Sequence, residues 1–134
     1  MGKTYIYKSA LIEIQDRKVL VTRSHNKDTW YFAGGKREEG ESDEQALVRE
    51  IKEELNVDLD PVTILYYGTF EAQAHGKPEG TIVKLKCYQA KYQGTLKPSN
   101  EIGAIDWFHY SKKELTSLVS QFVFDDLKVK NLID

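Results

Sequence analysis

The sequence of 134 residues predicts an α+β fold, in which helices pack against a mixed β-sheet. Three observations support this prediction. The first third of the chain is strand-like, one strongly amphipathic helix follows at residues 43–55, and further strand-like runs precede a helical C-terminal stretch. The chain has no repeat, low-complexity tract or Pro/Ser-rich linker, so we expect a single domain spanning residues 1–134.

Two strand-like runs open the chain. Residues Tyr5 to Gln15 are rich in Tyr and Ile, and Val19 to Thr22 form a second apolar run. The polar residues 15–18 between them indicate a hairpin turn. A polar loop then leads to an aromatic segment in which we expect Trp30 and Phe32 to be core residues.

A helix is predicted from Asp43 to Leu55. Ser42 and Gln45 have the spacing of a capping box, which satisfies free backbone donors at a helix start. Apolar residues then recur every fourth position and form one stripe, namely Leu47, Ile51 and Leu55. Asn56 follows where a helix often ends in a left-handed residue.

The second half of the chain contains three more strand-like runs. They are predicted at Val62 to Phe70, at residues 81–92 and within residues 101–108. The middle run, TIVKLKCYQAKY, alternates Val83, Leu85 and Cys87 on one face with Lys84, Lys86 and Tyr88 on the more polar face. The alternation therefore places Cys87 in the core.

Helical segments are predicted at the C-terminus. Ser111 has the character of a cap for a helix that begins at Lys112, and a last helical stretch is expected around Asp125 to Leu132.

Composition excludes several classes of function. The 19 basic and 21 acidic residues give a formal charge of −2 without a basic stripe, which argues against a nucleic-acid partner. No apolar run has the length of a membrane span, so we expect no membrane partner. The sole cysteine and the lack of a signal-peptide core at the N-terminus favour a cytoplasmic location.

The predicted helix concentrates negative charge on Glu50, Glu53 and Glu54. Like charges at these spacings destabilise a helix by about 0.2–0.5 kcal/mol per pair. A Mg²⁺ or Mn²⁺ ion would reverse that effect, because hard cations select carboxylate oxygens. The alternative is a solvated acidic face. The preceding Gly34-Gly35 pair favours the metal interpretation, because glycine permits a close approach of the backbone.

From Gly35 to Val57 the chain resembles the signature of the Nudix (MutT-like) hydrolases, G-x5-E-x7-R-E-U-x-E-E-x-G-U, where U is aliphatic. The residues that match are Gly35, Glu41, Arg49, Glu50, Ile51, Glu53, Glu54 and Val57. One position differs, since Asn56 replaces the last glycine. Asparagine tolerates the left-handed conformation, so the expected cost is small.

The resemblance implies an α/β/α sandwich and a hydrolase that cleaves a diphosphate linked to another group with Mg²⁺ or Mn²⁺ and water. It implies Glu53, Glu54 and the Gly34 carbonyl as metal ligands, and Glu50 as a further ligand or the base that activates water. It implies that Arg49 orients a glutamate through a charge-assisted hydrogen bond.

Three residues at positions that the signature does not specify are further candidates. Glu101 precedes the last predicted strand, and several members of the family use an acidic residue from a late loop as a ligand or base. The base is therefore left open between Glu50 and Glu101. Arg23 and Lys36 are candidates for contacts with substrate phosphates, and each has the alternative of a surface cation.

The resemblance leaves the substrate open. A nucleoside triphosphate pyrophosphohydrolase is favoured, with oxidised nucleotides among the candidate substrates, because Ala72 and Gln73 stand where other classes of the family carry Pro and Tyr. A nucleotide-sugar or ADP-ribose hydrolase is one alternative. A Nudix module that senses a nucleotide without cleaving it is another. A homodimer is an open alternative to a monomer, since many relatives are dimers.

Overall fold

The computed structural model describes residues 2–134 as nine strands and two α-helices. The strands are β1 (Thr4–Leu11), β2 (Ile14–Gln15), β3 (Lys18–Ser24), β4 (Gly34–Lys36), β5 (Asp58–Leu59), β6 (Leu65–Gln73), β7 (Thr81–Gln89), β8 (Tyr92–Gln93) and β9 (Ile102–Phe108). The helices are α1 (Asp43–Leu55) and α2 (Leu118–Val129), with short 3-10 helices at Pro61–Thr63 and Tyr110–Leu115.

The main sheet has four strands in the order β4-β1-β7-β6. It is mixed, because β1 and β7 are parallel while the other two pairs are antiparallel. A second sheet contains β2, β3 and β9, all antiparallel, and β5 pairs with β8.

Two apolar cores lie on opposite faces of the strands. Successive side chains of one strand point to opposite faces and enter different cores, as Ala10 and Leu11 do in β1. One core packs against α2 through Val123, Phe124 and Leu127; the other packs against α1 through Leu47, Ile51 and Leu55. This arrangement is an α/β/α sandwich with a mixed sheet between helices, so the predicted fold class is confirmed.

Helix α1 begins and ends where the sequence predicts. Ser42 caps it and forms the capping box with Gln45. Asn56 ends it in the left-handed conformation, with φ 60°. The replacement of the family's glycine by asparagine therefore preserves the helix stop.

The first predicted strand is divided in two. After Leu11 the chain passes from the main sheet to the second sheet, and the Ile12 amide donates to the Tyr88 carbonyl at the crossing. The predicted hairpin is confirmed, with Asp16 and Arg17 both at positive φ.

Other predicted boundaries were wrong. Strand β6 begins at Leu65 rather than Val62, because the Asp60 side chain caps a 3-10 turn there. The segment near Ser111 is a 3-10 helix without a side-chain cap. Helix α2 begins earlier than Asp125, because Ser117 caps it. In residues 2–134 neither helix is long and apolar enough to cross a membrane.

The aromatic residues lie largely in the two cores. As predicted, Phe32 is buried and Trp30 packs against the core beside α2; Phe70 packs against the same core. Cys87 is buried in the same core. Tyr88 was wrongly placed on a polar face, since it is only 5% exposed and lies in the core beside α1, which covers this end of the sheet.

Candidate active site

Three carboxylates from two parts of the chain converge at one end of α1. Glu50 and Glu54 lie on the helix, and Glu101 lies in the segment before β9. One carboxylate oxygen of each lies within 4.8 Å of the other two. The group thus contains Glu101, which is exposed, whereas Glu54 is buried.

Glu54 is the most buried member of the group. Its side chain faces β4, where the Gly34 amide donates to Oε1 at 3.0 Å, and the residue is 6% exposed. Burial, together with the nearby Glu101 and Glu50, raises the pKa of Glu54 to about 8, although the Gly34 hydrogen bond acts in the opposite direction. The charged form of this carboxyl therefore lacks a compensating positive charge in the folded chain, and the group keeps its proton to an unusually high pH.

Both glycines of β4 give space to this arrangement. A Cβ atom at Gly35 would overlap the Glu50 side chain, and a Cβ atom at Gly34 would overlap the Ser9 carbonyl on β1. Gly34 also has φ +149°, a conformation that other residues rarely adopt. The glycines therefore permit the helix and the strand to approach closely enough for Glu50 and Glu54 to face β4.

Arg49 fixes the position of the carboxylate side chains around it. Its guanidinium donates to both oxygens of Glu41 at 2.8 and 2.9 Å, and to Glu50 at 2.7 Å. It also donates to the Lys36 carbonyl at 3.1 Å, which links the helix to β4. The hydrogen bond from Arg49 lowers the pKa of Glu41 to about 2. This is the geometry expected of a residue that orients a glutamate.

Glu53 lies apart from the three carboxylates. Its side chain is 44% exposed and approaches Arg49 at 3.5 Å. The reason is helical geometry: each residue advances by about 100°, so Glu53 and Glu54 flank Glu50 on opposite sides. The side chains of Glu53 and Glu54 therefore point in more different directions than their spacing along the sequence suggested. The role of Glu53 as a ligand stays a prediction.

The end of α1 holds the segment that carries Glu101. The last turn of a helix leaves carbonyl groups without intrahelical partners. Three donors of the segment bind these carbonyls: Lys97 N to Leu55 O, Ser99 N to Glu54 O, and the Asn100 side chain to Glu53 O, each at 3.0 Å. The helix that supplies two carboxylates therefore also positions the third.

A cavity of about 770 Å³ opens from the carboxylates. Glu54, Glu101 and the β4 glycines line its acidic end, and apolar side chains line another part, namely Ile6, Phe32, Val83, Leu85 and Val119. Polar residues of the loops at 24–31 and 73–77 complete the lining.

The two predicted phosphate contacts lie outside this lining. The Arg23 guanidinium stacks over Trp30 at 5.1 Å from the ring centroid, and Lys36 is exposed on β4. Lys8 lines the cavity instead, and sequence reasoning missed it. The available signal was a charged residue inside the strand-like run YIYKSALIEI.

The donor set suits a hard divalent cation. Three convergent carboxylates offer only oxygen ligands, which is what Mg²⁺ and Mn²⁺ select. A cation would also compensate the buried charge of Glu54.

The NUDIX domain family model matches residues 8–122 of the chain. The chain belongs to the Nudix family. A CTP pyrophosphohydrolase of Escherichia coli (strain K12) is 35% identical over 103 residues, which are 74% of this chain and 71% of that protein. An 8-oxo-dGTP diphosphatase of Proteus vulgaris is 40% identical over 57 residues, which are 42% of this chain and 46% of that protein.

Two solved structures share the fold over nearly the whole chain. The solution structure of the Escherichia coli ORF135 protein has a TM-score of 0.74 at 27% identity and covers 98% of this chain and 96% of its own. The MutT protein of Methanosarcina mazei has a TM-score of 0.76 at 20% identity, with 98% of each chain covered, and so supports the fold alone. The predicted family and enzyme class are confirmed: the chain is a Nudix hydrolase that acts on phosphoric anhydride bonds. The roles of individual residues stay predictions.

Proposed function

We propose that this Nudix hydrolase is a nucleoside triphosphate pyrophosphohydrolase that uses Mg²⁺, with Mn²⁺ as the alternative, and releases pyrophosphate. One observation carries the proposal: the carboxylates of Glu50, Glu54 and Glu101 converge at the end of a cavity of about 770 Å³. The pocket volumes typical of small ligands reach about 1,000 Å³, so the cavity has room for a nucleoside. Residues 1–134 are proposed to act as one domain.

In this proposal Glu50, Glu54 and Glu101 hold the divalent cation, with Glu53 and the Gly34 carbonyl as further ligands. A bound cation would neutralise charge on the polyphosphate and lower the pKa of a water molecule. Attack by a water molecule on phosphorus would break the anhydride bond between the α- and β-phosphates, so that pyrophosphate leaves and the nucleoside monophosphate remains.

The other residues of the site orient the reacting groups. Arg49 holds Glu50 at 2.7 Å and therefore fixes one candidate for the base that accepts the proton of the attacking water. Glu101 is the second candidate, because its carboxylate belongs to the same group. Arg23 and Lys36 are proposed as phosphate contacts outside the cavity lining.

The nucleobase of the substrate is proposed from the relatives. The two named above act on CTP and on 8-oxo-dGTP, so both nucleotides are candidates for this chain. A nucleotide sugar or ADP-ribose is the alternative substrate. The cytoplasmic location, the absence of a nucleic-acid partner and the homodimer stay predictions.

A nucleotide panel tests this function. With Mg²⁺ or Mn²⁺ the wild-type protein should release pyrophosphate from at least one nucleoside triphosphate, and Glu54→Gln should lower the rate by at least about a hundredfold, the scale of a lost charge interaction in a transition state. Glu44→Gln is the matched control, because Glu44 lies exposed on the same helix and outside the carboxylate group. Tight nucleotide binding without turnover would instead indicate the sensing module.

A further inference from the structure

Lys8 lies in the middle of the main sheet and faces the cavity. Its backbone is paired on both sides, with Lys36 of β4 and with Leu85 of β7. Its side chain belongs to the cavity lining, on the face of β1 that also carries Ile6 and Ala10. The pairing of the strand therefore holds the backbone of Lys8 in place more firmly than a loop would.

The ammonium group of Lys8 has no partner among residues 2–134. It forms neither a hydrogen bond nor a salt bridge with a described residue, whereas Arg49 has several partners. Every fully buried side-chain nitrogen or oxygen of these residues has a hydrogen-bond partner. The Lys8 ammonium must therefore reach open space, and the space in front of it is the cavity.

The surroundings of Lys8 are unfavourable for an isolated positive charge. The residue is half-buried, and this burial lowers the pKa of Lys8. The charges of Lys36 and Lys77 lower it further, while Glu54 and Glu50 oppose the effect. An anionic ligand in the cavity would supply the charge partner that the protein itself does not provide.

The position of Lys8 along β1 indicates which part of a ligand it would meet. Ile6 pairs with Val83 in the apolar part, and Ala10 pairs with Gly34, whose amide binds Glu54 at the acidic end. Alternate residues of a strand are about 7 Å apart. Lys8 thus lies between the apolar part and the acidic end, one side-chain length from each.

We propose that Lys8 binds the phosphate of the substrate that is attached to the nucleoside. This inference rests on the proposed function. A nucleotide whose base occupies the apolar part, with its outer phosphates at the carboxylates, passes its first phosphate by Lys8. Lys27 and Lys77 also line the cavity, but both lie in exposed loops whose backbone is not held by strand pairing.

The test is the affinity for α,β-methylene CTP, which is not cleaved at the α–β link, measured by calorimetry with Mg²⁺. Lys8→Met keeps the apolar stem and removes the charge, so Kd should rise about 10- to 100-fold, the range for loss of a charged hydrogen bond. Lys8→Arg keeps the charge, so it should recover most of that affinity. Lys84→Met is the control, because Lys84 lies on β7 outside the cavity lining and should leave Kd unchanged.

Two results would overturn the inference. One is a Lys8→Met variant whose Kd lies within about twofold of the wild type, well below the loss expected for a charged contact. The other is a folded Lys8→Arg variant that binds as weakly as Lys8→Met, because shape rather than charge would then matter. The thermal midpoint of each variant establishes that it is folded. If the wild-type protein binds the analogue but hydrolyses no nucleotide, the proposed function fails, while the binding comparison still decides the role of Lys8.

Discussion

Because Glu54 is buried, we expect the substitution Glu54→Gln to stabilise the metal-free protein. Burial raises the pKa of this carboxyl to about 8 from its ordinary 4.5. The folded state then binds the proton more tightly than the unfolded state, so the stability of the wild type falls as pH rises from 4.5 to about 8. At about 1.4 kcal/mol for each pKa unit, the loss is on the order of 5 kcal/mol above pH 8.

Glutamine removes the titrating charge and keeps an oxygen that accepts from the Gly34 amide. In urea unfolding with EDTA, the variant should therefore match the wild type at pH 5 and exceed it by a few kcal/mol, on the order of the loss above, at pH 9. Glu44→Gln, the exposed control, should follow the wild type. Added Mg²⁺ should raise the stability of the wild type at pH 8 more than that of Glu54→Gln, because ligands stabilise the state that binds them. A variant that is less stable than the wild type at pH 9, or a difference independent of pH, would refute the reasoning.

Two further changes probe the supports of the site. Gly35→Ala places a Cβ atom against the Glu50 side chain, so kcat should fall at least about tenfold because a catalytic group is displaced. Gly2→Ala is the control, because Gly2 has open space around it, and kcat should stay unchanged. A Gly35→Ala enzyme with wild-type kcat would contradict the close approach of Gly35 to Glu50. Asn100→Ala removes the bond to the Glu53 carbonyl at a residue with φ 53°, so the free energy of unfolding should fall by about 1–3 kcal/mol and Mn²⁺ affinity should fall too. Asn131→Ala is the control: Asn131 also has a positive φ, 59°, and its side chain accepts from Arg17, far from the carboxylates. It should lose stability, while its Mn²⁺ affinity, measured by calorimetry, stays at the wild-type value. Equal Mn²⁺ affinity in the two variants would contradict a role of Asn100 in positioning Glu101.

Local patterns predicted the helix of the site well. The capping box, the apolar stripe of α1 and the stop at Asn56 depend on residues within a few positions of one another, so periodicity and capping chemistry define them. The signature that resembles the Nudix family lies within the same segment. Strand β4 was missed, because three residues with two glycines have little intrinsic strand preference and are held by pairing with β1.

Contacts between distant residues limited the rest of the site prediction. Glu101 joins Glu54, 47 positions earlier, because donors of its own segment bind the end of α1. No local pattern encodes such a contact. Lys8 was overlooked for the same reason: its importance depends on which strand face borders the cavity.

The segment that carries Glu101 also touches the loop that closes one side of the cavity. The His25 amide donates to the Glu101 carbonyl at 2.9 Å, and Gly103 lies so close to the His25 ring that a Cβ atom there would meet it. Residues 26–29 of the same loop line the cavity. Substrate fit and the placement of the third carboxylate are therefore mechanically joined. If a ligand displaced this loop, we would expect Glu101 to move with it, so a poorly fitting nucleotide would be discriminated through turnover as well as through affinity.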